Sequence, residues 1–194
     1  GARLEAARDL LGDWAAKSDR RAENDEIRIL DRLGGRDEAL LDQAEAAAGS
    51  YFKATFRVPH GCDGSATTSV SIAIPEGVIA IKPQPKHGWT VTTEKAPYKQ
   101  SYTLHGKTVT EGVIRVTWEG GPLADDMFDE FAFMTKLPDD PEIMMLFFPV
   151  VQSCVEGSIA WDQLPVPGSG ERLPRPAPML HLTHGGEYGG HHHH

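Results

Sequence analysis

Short runs of alternating apolar and polar residues, closed by Pro or Gly, constrain this chain more than any other feature. Phe52, Ala54, Phe56 and Val58 alternate with Tyr51, Lys53, Thr55 and Arg57, and a period of two is that of a half-buried strand. Val70, Ile72 and Ile74 repeat the pattern before the turn signal Pro75-Glu76-Gly77. Further runs lie at 89–91, 101–104, 113–118, 128–134, 144–151 and 158–164, nearly all divided by Pro or Gly. Strands of this length with turns every 8–15 residues or so predict an antiparallel β-sandwich, and the lack of βαβ alternation speaks against a parallel sheet.

The flanks read differently. Leu4, Ala7, Leu11 and Trp14 fall at helical spacing, continued by Ile27 and Leu30, with Ser18-Asp19 able to cap a second helix and Gly34-Gly35 interrupting it. Residues 1–38 are therefore expected to form a charged helical extension, 39–165 the sandwich and 166–190 a Pro/Gly-rich extended tail, with 191–194 a purification tag. A net charge of −9 argues against nucleic acid as a partner, since phosphate binding needs a basic surface. No apolar run is long enough to span a bilayer. No signal peptide opens the chain, so export requires that the signal is absent from this sequence.

Chemistry is sparse. The chain has no phosphate-cradling GxxxxGK, GxGxxG, HExxH or GxSxG, and the expectation is a binding protein, not an enzyme. Asp125, Asp126, Asp129 and Glu130 read as a solvated acidic loop, and His60, between Pro59 and Gly61, as a residue holding its turn. Cys62 and Cys154 are either reduced core residues or a disulfide. Met179, His181 and His184 place thioether and imidazole close together, a set suited to copper if it is not simply the end of the tail.

The stretch 51–78, YFKATFRVPHGCDGSATTSVSIAIPEGV, resembles the YcnI-like family of bacterial exported proteins, and the resemblance resumes in GVIRVTWEGG, in Phe131-Ala132-Phe133 and in FFPVVQSCVEGSIAWDQLP. It covers about residues 39–165. The resemblance implies an immunoglobulin-like sandwich, export to the periplasm or extracellular space, a Cys62–Cys154 disulfide and binding of copper, as Cu(II) rather than Cu(I). It implies a chaperone or carrier in copper homeostasis, with a copper-transfer partner protein.

The family's copper site is a brace in which an N-terminal His binds through its α-amine and ring, with a Glu seven residues later and a Trp near the end of the sandwich. The Glu matches Glu45 and the Trp matches Trp161. Glu38 stands where the family has the His, and, preceded by other residues, it carries an amide in place of the free amine. The sequence therefore leaves open a lost brace, a replaced start, or copper held through Glu38, Glu45, Met179, His181 and His184. The alternative function is a metal-free interaction module built from the sandwich and the N-terminal helices.

Overall fold

The computed structural model describes residues 40–170 and 172–185; the expected helical extension and the histidine tag lie outside them. All regular structure among the described residues is β. One sheet orders β1 (Leu40–Leu41), β3 (Tyr51–Val58), β8 (Asp129–Lys136) and β5 (Ile79–Pro83). A second orders β11 (Ser158–Trp161), β10 (Val150–Cys154), β4 (Thr67–Ala73), β7 (Lys107–Leu123) and β6 (Trp89–Leu104). A third, smaller sheet orders β2 (Glu45–Ala47), β12 (Met179–Thr183) and β9 (Met145–Phe147). Every pairing is antiparallel except β2 with β12.

The period of two in the sequence becomes the core. β3 buries Phe52, Ala54, Phe56 and Val58, and meets Val70 and Ile72 from β4, Val116 and Trp118 from β7, and Phe131 and Phe133 from β8. Phe56 stacks on Phe133 at 5.7 Å and meets the edge of Phe148 at 5.5 Å. Each such fully buried side chain contributes about 1.5–3 kcal/mol. Trp118 also donates its indole N–H to the Gln84 carbonyl at 3.1 Å, so the ring's polar atom is satisfied inside the core.

Three segments depart from the sequence reading. The runs 89–91 and 101–104 belong to one strand, β6, because register shifts at Glu94/Lys95 and Pro97/Tyr102 absorb the mismatch with β7 instead of ending the ladder. The two-residue turn closing that hairpin has His105 at φ 50° and Gly106 at φ 74°, the pair of positive angles that matches strand twist. The run 144–151 divides at Phe148-Pro149 into β9 and β10, which join different sheets; Pro149 has no N–H for a ladder, and Phe148 N donates to Pro178 O at 2.8 Å. Finally, the segment read as a tail over 166–190 contains β12, the central strand of the third sheet. Leu180 and Leu182 alternate and are both fully buried, which anchors a strand that Pro and Gly upstream had disguised.

On the long hairpin, Tyr102 donates its hydroxyl hydrogen to Glu76 Oε1 at 2.7 Å, which also accepts from Lys99 N at 3.0 Å. Burial first, and then this bond to Glu76, raise the Tyr102 phenol above its ordinary range. An unfolded tyrosine ionises near pH 10 or so, whereas the folded one keeps its proton, so stability falls as pH rises past that point. Urea midpoints taken near pH 9 and near pH 11 are expected to drop less in Tyr102→Phe than in the parent. An equal alkaline loss in both proteins would refute this linkage.

Candidate metal centre

The third sheet brings one group of donor side chains together. In its register His181 sits opposite Glu45 on β2 and opposite Met145 on β9. Successive strand residues face opposite ways: Leu180 and Leu182 enter the main core, so Met179 and His181 face outward. β2 obeys the same rule, packing Ala46 on the core and leaving Glu45 on the side of His181. A backbone bond from His181 N to Ala44 O at 2.8 Å pins the two strands together at this point.

Glu45 Oε1 lies 3.8 Å from His181 Nδ1; the carboxylate is 65% exposed and the imidazole only 14%. That separation is too long for a hydrogen bond, and both ring nitrogens of His181 are buried without any hydrogen-bond partner. Leaving a buried donor or acceptor unmade costs about 1–3 kcal/mol per group, so this ring has bonding capacity left for a ligand. By donor chemistry, an imidazole with free nitrogens beside an exposed carboxylate fits a borderline transition-metal cation.

The other residues singled out by sequence are placed as follows. Met179 shares the outward face and packs with Met145, Phe147 and Ala177 beneath Leu164. His184 turns its Nε2 to the Ile143 carbonyl at 3.0 Å. Trp161 is 2% exposed within the main core, opposite Val150 on β10. Glu38 lies outside the described residues. Among the described residues no three His, Cys, Asp or Glu side chains are grouped to hold a metal ion.

Cys62 and Cys154 form a disulfide, joining the loop after β3 to the end of β10. His60 stabilises that loop, its Nδ1 lying 2.6 Å from Gly61 O while its carbonyl accepts from Gln152 Nε2 at 2.6 Å. Gly61 admits no side chain here: an added Cβ would fall 2.0 Å from Ser65 O. The acidic run is spoken for in part by Asp125, which accepts from Gly61 N, and by Asp129, which pairs with Lys86. Met145 is the residue that sequence reading missed. Its only signal was the pair Met144-Met145 inside an apolar run, and strand register was needed to set it across from His181.

A family model described as a domain of unknown function (DUF1775) matches residues 39–182. The chain belongs to that family. The YcnI-like resemblance is thereby borne out, and the match extends past 165 to take in β12. The copper-binding protein CutI of Bacillus subtilis (strain 168) is 33% identical over 101 residues, which is 51% of this chain and 43% of that protein. The chain thus spans less than half the length of this relative. A crystal structure of an uncharacterized protein from Nocardia farcinica, described as having an immunoglobulin-like fold, superposes with a TM-score of 0.57 at 27% identity. It covers 75% of this chain and 97% of its own. The immunoglobulin-like sandwich expected from sequence is therefore the fold, and no helix among the described residues is long and apolar enough to cross a membrane.

Proposed function

We propose that this chain carries copper(II) outside the cytoplasm, in the periplasm or extracellular space, and passes it to a partner protein without changing it chemically. The observation behind this reading is the Glu45–His181 pair: a carboxylate 3.8 Å from an imidazole whose buried nitrogens have no hydrogen-bond partner. The copper-binding relative supports the choice of metal. The disulfide is consistent with an oxidising compartment. Glu45 stands where the resemblance puts the family's brace carboxylate, and in this chain His181 would supply an imidazole next to it from a strand far away in sequence. Bound copper would supply a transferable cation; the protein's share is to neutralise charge through Glu45 and fix geometry through the β2–β12 register. An exposed carboxylate beside a buried imidazole suits hand-over, because an incoming partner can replace the carboxylate first.

The test is a copper(II) titration followed by electron paramagnetic resonance on protein freed of residues 191–194. The expected result is one saturable signal with nitrogen coupling. Glu45→Ala should weaken binding by about tenfold or more, and His181→Asn should remove the nitrogen coupling. Only the signal of free copper would overturn the reading and leave the metal-free interaction module in its place.

A further inference from the structure

The outward face of the third sheet holds more than the carboxylate and imidazole. Met145 is directly opposite His181, and Met179 is two residues before His181 on the same strand and face. Directly paired side chains stand about 4.5–5.5 Å apart at Cβ, and diagonal ones about 7–8 Å, within the reach of a flexible thioether. Met145 is 3% exposed and clusters with Phe147 and Ala177, with Met179 and Leu164 packed against them. The segment running from Leu164 to Ala177 is tied back on itself by the Gln163↔Pro176 bridge, with Ala177 N donating to Gln163 O at 2.8 Å. The thioethers of Met145 and Met179 therefore lie among apolar side chains, on the sheet face that also carries the unpartnered imidazole of His181.

We infer that His181, Met145 and Met179 form a binding site for a soft monovalent cation, copper(I), beside the exposed Glu45. Thioether donors select Cu(I) over harder ions, and imidazole suits copper in either oxidation state. An apolar shell acts in the same direction, since the cost of taking an ion out of water rises with its charge. The inference rests on the copper-carrier reading and deepens it. The same imidazole serves both oxidation states, with the carboxylate on the wet side completing the divalent form and the thioethers on the dry side the monovalent one.

The experiment uses the full chain without residues 191–194, titrated anaerobically with Cu(I) in competition with bicinchoninate, and X-ray absorption of the one-equivalent complex. Met145→Leu and Met179→Leu keep side-chain volume and apolarity, so the fold is retained, and Met127→Leu on an exposed loop serves as the control. The expected result is one tight equivalent with both sulfur and nitrogen scatterers, weakened about tenfold or more by either β-sheet variant and unchanged by the control. Cu(I) binding that neither variant alters, or a complex without sulfur scattering, overturns the inference. Absence of Cu(I) binding in a protein that still gives the copper(II) resonance signal also overturns it, while sparing the carrier reading. Methionine-dependent Cu(I) binding without a copper(II) signal upholds the site and rejects divalent carriage.

Discussion

Replacing both Cys62 and Cys154 with alanine is expected to lower the free energy of unfolding by about 4–5 kcal/mol. The bridge closes a loop with a sequence separation of 92, and the cost of that closure is removed from folding by restricting the unfolded chain. It reinforces a ladder already there: the loop holding Cys62 leads into β4, whose Thr67 pairs with Cys154 at the end of β10. A typical domain is stable by only 5–15 kcal/mol or so, so the loss is a large share of the total. Urea unfolding of the oxidised parent and the double variant checks it. The midpoint should fall sharply, and the slope should rise because the unlinked chain exposes more surface when unfolded. An unchanged midpoint would show that the β4–β10 ladder holds this end of the sandwich without the covalent link. The double replacement is the right variant, since a single one leaves a free thiol.

Trp161→Ala is expected to cost about 3–5 kcal/mol, the usual penalty for truncating a large buried aromatic. The ring is 2% exposed in the same core as Leu180 and Leu182. Its strand β11 is an edge strand paired only with β10, so side-chain packing carries much of its anchoring. Trp161→Phe keeps most of the apolar surface and should stay folded. This pair of variants separates packing from metal work. If Trp161 lies near bound copper, copper-dependent quenching of tryptophan fluorescence vanishes in Trp161→Phe while the resonance signal persists. If Trp161 only packs, quenching is the same in both proteins, and the thermal stability of Trp161→Ala alone reveals its contribution.

How much of the site was legible follows from where its parts lie in the chain. Family resemblance alone points to Glu45 and Trp161, because neither a glutamate on a short strand nor a tryptophan buried in the core carries a local pattern for metal binding. His181 and Met179 were noticed as a soft-donor cluster, yet Pro and Gly before them disguised β12 as a tail. His184 was grouped with them by proximity in sequence, but its ring reaches the Ile143 carbonyl instead. Met145 could not be joined to His181 at all, since nothing local links residues so far apart.

What the sequence by itself determined is the set of faces. Phe52, Ala54, Phe56 and Val58 had to share one side of a strand because side chains alternate with a period of two, and the same rule sent Val70 and Ile72 inward. Pro and Gly ended most strands early and so favoured a sandwich, the long β6–β7 hairpin excepted. Only the tertiary structure decided register and partnership: that β2 lies parallel to β12, that β9 leaves β10 for another sheet, and that Glu45, His181 and Met145 form one row. The physical reason is that alternation is written in neighbouring residues, whereas pairing between distant strands is settled by the core they jointly bury. Here that core is Leu180 and Leu182 packed inward, and their burial is what turns His181 outward toward the other donors.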